Sequence, residues 1–290
     1  MKLRGSNERA LAAINGRARC SGAWLELTAP TSEIVTPAFT WAMLKRNTSL
    51  DGAARLAVTA GAGTAHVRAD VWIDEDADVD ARVAAACDDM ASLLHVLHAG
   101  STTSDRTATV DTAIEVESRT RRLVDLCTEA GWPCTQGDAG VVVAIDAGGD
   151  VYQASLELTR DDRLRATVEL IDAPVNASPA RAAMALLLLT ASAVVRRVKG
   201  VAVSRDGVDR LGVAVAGEHV ASVADIDLSL SALTVACRSV GRELQALSHD
   251  GLARDYLAWR APVPLDEPED VLDEQPVTHA MEENTCLQQP

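Results

Sequence analysis

The stretch APVNASPARAAMALLLLTASAVVRRVKGVAVSRDGVDRLGVAVAG, residues 173–217, decides the fold. Ser178 is a good helix N-cap and Pro179 suits the first helical position, so a helix begins here and continues to about Arg197. Two apolar, β-branched runs follow and are joined by the turn RDG, which predicts an antiparallel hairpin. The stretch is therefore predicted to form a mostly buried helix followed by two paired strands.

The same kind of pattern covers residues 115–248. A helix over VESRTRRLVDLCTEAGW comes first, and the three strands GVVVAID, VYQASLELT and RLRATVELI follow it, separated by tight turns. A long helix that opens at Asp225 ends the unit. The order helix–three strands–helix–two strands–helix predicts an α+β fold with helices packed against an antiparallel sheet, because strands joined by tight turns are antiparallel.

The first hundred residues repeat most of this order. Apolar residues recur at steps of four and three along two long helices, at a constant offset of 147. AWLELTAP echoes TVELIDAP, and Asn15-Gly16 supplies a turn before it. The helix positions are Val79, Val83, Ala86, Met90, Leu93 and Leu97 in the first half and Ile226, Leu230, Leu233, Cys237, Val240 and Leu244 in the second.

We therefore predict two tandem copies of one antiparallel sheet packed by helices. The first copy, over 1–100, is shortened and lacks the opening helix and the first strand, unless the helix TRRLVDL serves both copies. A small, polar linker over 101–114 leads to the second copy over 115–250. Residues 261–290 contain eight acids and no Lys or Arg, which predicts a disordered acidic tail.

Composition limits the classes of partner and compartment. The net charge of −15 repels phosphate backbones, so nucleic acid is not expected as a partner. The longest apolar stretch, residues 182–195, is too short to cross a membrane, so no membrane association is expected. The six cysteines lack a disulfide-framework spacing and the N-terminus lacks a signal peptide, which together predict a cytoplasmic protein.

No motif in the sequence predicts chemistry. His95 and His98 share a helix face and could hold a transition metal, but no third ligand is placed by the sequence. Cys127 and Cys134 are too far apart for a redox or zinc pair. We therefore predict no catalytic, cofactor-binding or metal-binding residues, no cofactor and no enzyme activity; an enzyme that uses His95 and His98 remains the minor alternative.

Three tryptophans in the first copy are the candidate binding residues. Aromatic side chains make up only 3% of the chain, yet Trp24 and Trp72 fall in strands and Trp41 falls in the short helix between them. Two interpretations stay open: the rings are core residues, or they form an apolar patch that grips an extended peptide.

The element order of 115–248, with the chain's size and acidity, resembles the type III secretion chaperone-like fold. CesT-type effector chaperones and YbjN-like proteins share this fold, and actinobacterial relatives carry it in tandem as peptide-binding chaperones. The Arg-rich composition, with only three lysines, suits such a source. The shortened first copy and the acidic tail depart from that pattern.

This resemblance implies a cytoplasmic, non-catalytic module that binds a client peptide or protein in extended form. It also implies that domains pair, either as a homodimer or as an internal pseudo-dimer made of the two copies. A scaffold or regulatory subunit dedicated to one specific protein is the alternative function. The identity of the client is not predicted.

Overall fold

The structure is a computed structural model that combines helices with antiparallel sheets, which confirms the predicted α+β class. The predicted tail lies outside the residues that it describes, as does all of the predicted linker except its last two residues, which lie in a helix. The structure describes residues 3, 5–50, 52–59, 64–73, 78–99, 113–137, 140–220 and 222–260.

The described residues form seven helices and ten strands. The helices are α1 (Gly5–Ala13), α2 (Pro37–Ser49), α3 (Val79–Ala99), α4 (Ala113–Glu129), α5 (Pro179–Val194), α6 (Val223–Ala246) and α7 (Asp250–Arg260). The strands are β1 (Arg17–Ser21), β2 (Trp24–Ile34), β3 (Arg55–Val58), β4 (Thr64–Trp72), β5 (Cys134–Gly137), β6 (Gly140–Asp146), β7 (Val151–Leu158), β8 (Arg163–Asp172), β9 (Val198–Arg205) and β10 (Val208–Val220).

The strands form two antiparallel sheets with a common order. The first sheet has the order β1–β2–β4–β3, and the second has the order β5–β6–β7–β8–β10–β9. Four strands of the second sheet, β7–β8–β10–β9, reproduce the whole of the first, including a helix after the second strand and a long helix after the fourth. The two halves therefore share one order of elements, while the duplication and the exact boundaries of the copies stay predictions.

The structure corrects the predicted element order in three places. The second half has four strands before α5 rather than three, because Cys134–Gly137 pairs with the start of β6. The first half does have an opening helix, α1, which packs on α3 as α4 packs on α6. A further helix, α7, follows α6 and packs against α5. The described part of the first half lacks a counterpart of β5 and β6.

Helix α5 is at the centre of the molecule. Its residues Ala182–Ser192 are all buried, as expected for a helix that is apolar on every side. It lies against β9 and β10 of its own half, β3 of the other half, and the helices α2, α6 and α7. The buried side chains of both halves consequently form one continuous hydrophobic core.

Each half packs one of its helices against a strand of the other half. Helix α2 of the first half packs on β9 of the second, and α5 of the second packs on β3 of the first. The two helices begin alike: the hydroxyls of Thr36 and Ser178 accept hydrogen bonds from the backbone N–H groups of Phe39 and Arg181, each at 3.2 Å. The halves thus meet through equivalent elements.

Helix α2 also covers the inner edges of both sheets. Asn47 donates from Nδ2 to the carbonyl oxygens of Leu56 in β3 (3.0 Å) and Gly200 in β9 (3.1 Å), and its Oδ1 accepts from the Leu56 N–H (2.7 Å). The Thr48 hydroxyl accepts from the Ala202 N–H at 2.9 Å. Backbone groups satisfied in this way cannot pair with another chain, and at the opposite ends of the two sheets the outer strands are β1 and β5 as far as the described residues show.

Within the described ranges, none of the helices has the length and hydropathy that crossing a bilayer requires.

Candidate functional site

Strand β1 is an open sheet edge at a position that is paired in the other half. β1 and β7 are equivalent in the two sheets, and each pairs with the next strand of its hairpin. On its other side β7 pairs with β6 over Val141–Asp146, whereas β1 has no partner strand among the described residues. An unpaired edge presents backbone N–H and C=O groups, which can template a further strand.

Strand β1 is exposed along most of its length. Arg17, Ala18, Arg19 and Cys20 are all exposed, and Ser21 is half-buried. Because side chains alternate along a strand, the two arginines and Ser21 lie on one face of the sheet, together with Thr28, Glu26 and Trp24 of β2 directly opposite them. The open edge therefore carries a positive charge on one of its faces.

We call this face of the first sheet the charged face. The opposite face is apolar and is covered by α3. The paired positions of the charged face carry four arginines and two carboxylates, so this face is positive in a chain whose net charge is −15. The ionisable residues are Arg17, Arg19, Glu26, Arg55, His66, Arg68 and Asp70.

A buried cluster of side-chain ion pairs lies at the centre of the charged face. The Asp70 carboxylate is paired with Arg55 and with Arg68, whose Nε lies 2.9 Å from Asp70 Oδ1. Burial alone would raise the pKa of Asp70, but the two guanidinium groups and the Arg197 N–H (2.9 Å) hold it below its usual range. The cluster also reaches α5, because Arg55 Nε donates to the Ser192 carbonyl at 2.8 Å.

His66 lies next to this cluster and is neutral at physiological pH. Its side chain is half-buried in β4, opposite Pro30 of β2 and Ala57 of β3. Burial, followed by the positive charges of Arg68 and Arg55, lowers the pKa of His66 to about 4. The imidazole can therefore donate or accept a hydrogen bond without carrying charge.

A hollow of about 480 Å³ opens beside the start of β1. Its lining residues bring a guanidinium, an amide, two hydroxyls and the neutral imidazole, and none of those that the structure describes is acidic. The lining residues are Asn15, Arg17, Thr28, Ala29, Pro30, Thr59 and His66. The hollow thus combines a mostly apolar wall with several polar groups, and it is contiguous with the open edge through Arg17.

The structure brings together two of the three predicted tryptophans. Trp24 of β2 and Trp72 of β4 are directly opposite each other and half-buried. The Arg196 guanidinium lies 5.8 Å from the centre of the Trp24 ring and donates to the Ser21 hydroxyl at 2.7 Å. This pair therefore lies at one end of the charged face, next to β1.

Trp41 lies apart from that pair, on α2. Its ring is half-buried beneath the guanidinium of Arg181, 3.6 Å from the ring centre, and Lys45 lies 5.4 Å away. Its neighbour Arg181 belongs to α5, so this ring packs between the two halves. The prediction that Trp41 shares one patch with the other two is not supported by its position.

The two histidines of α3 show no further ligand. The side chains of His95 and His98 are exposed, and the Nδ1 atom of His98 lies 2.7 Å from the Leu94 carbonyl oxygen. In the part of the chain that the structure describes, no group of three His, Cys, Asp or Glu side chains could hold a metal ion. Burial raises the pKa of the Cys127 thiol to about 12, so this thiol is protonated at neutral pH.

Comparison with protein-family models, with curated proteins and with solved structures gives no match to this chain.

Proposed function

We propose that the chain is a non-catalytic peptide- or protein-binding module that holds a partner polypeptide in extended form, as a strand added to β1. The observation that carries this proposal is the open edge of β1, at the position where β7 pairs with β6. Strand addition obtains its affinity from main-chain hydrogen bonds and its specificity from alternate side chains.

The charge on β1 selects the kind of strand. Two copies of β1 that paired with each other would bring Arg17 and Arg19 of one copy close to those of the other, which disfavours self-association through this edge. A strand with acidic side chains on the same face is favoured instead. The local charge of the edge therefore differs in sign from the net charge of the chain.

The tryptophan pair extends this surface in our proposal. Trp24 is the cross-strand neighbour of Ser21, the last residue of β1, and Trp72 lies directly beyond it. Half-buried rings at the end of an added strand can contact an apolar side chain of the partner. Trp41 is not part of the proposed surface.

The proposal keeps the resemblance to the YbjN-like, type III secretion chaperone-like kind of module as a fold analogy. The reciprocal packing of α2 and α5 supports an internal pseudo-dimer over a homodimer, because the equivalent surfaces already cover each other within one chain. The five described cysteines are free thiols, which is compatible with the proposed cytoplasmic location.

The test combines hydrogen exchange with a backbone-methylated peptide. Peptides selected from a random library of nine residues are bound to the full chain, and amide protection is followed along β1 and, as a matched control, along β5 at the outer edge of the other sheet. We expect protection in β1 only. N-methylation of alternate peptide bonds should abolish binding in one register and leave it intact in the other, because only alternate N–H groups face β1.

Different outcomes separate the candidate functions. Protection of β1 by many unrelated peptides supports a chaperone, and protection by one tight, stoichiometric sequence supports the dedicated scaffold. Binding that leaves the β1 amides unprotected, or that ignores N-methylation, contradicts strand addition. A metal ion retained through purification and lost in the variant that carries both His95→Ala and His98→Ala would favour the enzyme alternative.

A further inference from the structure

The hollow beside β1 has the composition of an anion site. Each of its polar lining residues can donate a hydrogen bond: the Arg17 guanidinium, the Asn15 amide, the Thr28 and Thr59 hydroxyls, and the imidazole of His66. A carboxylate accepts hydrogen bonds from all of these groups, and bonds from a guanidinium to a carboxylate are among the stronger ones in proteins.

The charged side chains around the hollow also favour binding of an anion. Burial is the main cause of the lowered pKa of His66, and the positive charges of Arg68 and Arg55 lower it further, so positive potential from the sheet reaches the lining. The nearest carboxylate on this face of β2, Glu26, lies 3.5 Å from both Arg68 and Arg196 and is already paired. An anion in the hollow would meet positive charge that is only partly compensated.

The position of the hollow connects it with the open edge. Arg17 is both a lining residue of the hollow and the first residue of β1. In a strand added to β1, the side chain opposite Arg17 would lie about 5 Å from it, within reach of the guanidinium. Arg19, two residues further along, lies on the same face but does not line the hollow.

We propose that this hollow is a carboxylate pocket, and that a Glu or Asp side chain of the strand added to β1 enters it and binds the Arg17 guanidinium. This inference rests on the proposed function and specifies its partner: an extended segment with an acidic residue at the position opposite Arg17. The neighbouring hydroxyls and the Asn15 amide supply further donors to the same carboxylate.

The test uses pairs of nine-residue peptides, selected on the full chain, that differ only in Glu or Gln at one position. Fluorescence anisotropy should give at least about tenfold tighter binding of one Glu peptide than of its Gln twin, the amount expected for a charge-assisted hydrogen bond. In the variant Arg17→Gln this preference should fall to about one. The matched control Arg19→Gln should keep the preference while weakening both peptides.

If Arg17 only stabilised the fold, its substitution would lower the stability of the chain. Arg17 is exposed, so Arg17→Gln should leave the urea midpoint of unfolding unchanged. Equal binding of the Glu and Gln twins to the unchanged protein overturns the pocket, as does a preference that survives in Arg17→Gln. Protection of β1 without any preference for Glu overturns the pocket alone and leaves strand addition standing.

Two further experiments complete the test. One removes the acidic residues 261–290, and the other applies if no peptide protects β1. If the Glu peptide binds a chain that ends at Arg260 more tightly than the full chain, the acidic residues 261–290 compete for the pocket, which supports it. If no peptide protects β1, the proposed function fails. The pocket is then decided by titrating N-acetylglutamate and following the His66 imidazole by NMR: a saturable shift that Arg17→Gln removes supports it, and no shift overturns it.

Discussion

Asp70 joins both arginines of the buried cluster to the backbone between α5 and β9, so its removal tests whether that cluster stabilises the fold. The carboxylate is 1% exposed and binds Arg55, Arg68 and the Arg197 N–H. Asp70→Asn removes the carboxylate that the two buried guanidinium groups share, and breaking a buried ion pair in this way typically costs about 3–5 kcal/mol of unfolding free energy. Urea denaturation followed by circular dichroism measures it.

A matched control lies at the surface between the halves. The carboxylate of Asp209 is paired with Lys45, but both side chains are about one-third exposed. Asp209→Asn should cost about 1 kcal/mol or less, because exposed ion pairs contribute little. Equal losses in the two variants would mean that burial of the Asp70 cluster does not determine its energy.

His66 makes stability depend on pH in a defined window. Its folded pKa of about 4 lies below the usual value of 6.5 for a histidine, so the unfolded chain binds the proton more readily. Stability is therefore complete above about pH 6.5 and is lost as the pH falls toward 4, by at most about 3 kcal/mol. His66→Gln should flatten this part of the profile, measured as melting temperature between pH 7 and pH 4.5.

The exposed His95 provides the comparison for that measurement. His95→Gln should leave the same part of the profile as steep as in the unchanged chain. A flat profile in the unchanged chain between pH 6.5 and pH 4.5 would contradict the assignment to His66.

At the scale of elements, the close approach of α5 to β9 depends on one glycine. A Cβ atom at Gly200 would lie 2.7 Å from the Cβ of Leu188 and 2.8 Å from its carbonyl oxygen. Gly200→Ala must push α5 away from β9 and should lower the unfolding free energy by about 1–3 kcal/mol, as overpacking does. Thermal unfolding detects this loss as a lower melting temperature.

Gly251 in α7 is the control for that substitution. Nothing lies within 4 Å of a Cβ atom there, and the residue is helical, so Gly251→Ala should be neutral or slightly stabilising. If Gly200→Ala is as harmless as Gly251→Ala, the contact between α5 and β9 is looser than the structure shows.

The elements that the sequence predicts correctly have strong local signals. Ser178 caps α5 as expected, and the predicted apolar faces of α3 and α6 are buried apart from the half-buried Val79. Strand β5 was missed because CTQG has no alternating pattern and is held as a strand by pairing with β6. Helix α7 did carry a signal, since Ala253, Tyr256 and Leu257 follow the spacing of one helix face.

The candidate site was harder to predict from the sequence, because the register of the strands determines which residues lie next to each other. Asn15-Gly16 was expected to be the turn before β2, but it joins α1 to β1, and Gly22 with φ of 62° opens the hairpin instead. Arg17 and His66 are 49 positions apart in the sequence, so their shared hollow depends on how β1, β2 and β4 pair. The pairing of Trp24 with Trp72 follows from the same register.

At the scale of the whole molecule, the two halves should need each other. Helix α5 is buried partly by α2 and β3, so a fragment that begins at Ala108 exposes an apolar face of its central helix. We expect the fragments 1–107 and 108–290 to aggregate or remain unfolded when expressed separately and to form a soluble 1:1 complex when expressed together. Size-exclusion chromatography with light scattering measures this.

The comparison for the fragment experiment is the intact chain cut after purification. A protease site placed between Thr107 and Ala108 should leave both pieces together after cleavage, with an unchanged elution volume. Stable, monomeric folding of 108–290 alone would show that the two halves are independent domains.

The described part of the first half has no counterpart of β5 and β6, and this asymmetry bears on how many partners one chain can hold. A symmetric pair of complete units would carry either two equivalent edges or none, whereas β1 is open here and its counterpart β7 is paired. The outer edges β1 and β5 are therefore not equivalent: β1 carries Arg17 and Arg19, whereas Cys134–Gly137 carries no charged side chain. If only β1 captures an acidic strand, as we propose, one chain takes up one such partner and cannot link several into a network, which a homodimer with two equivalent edges could do.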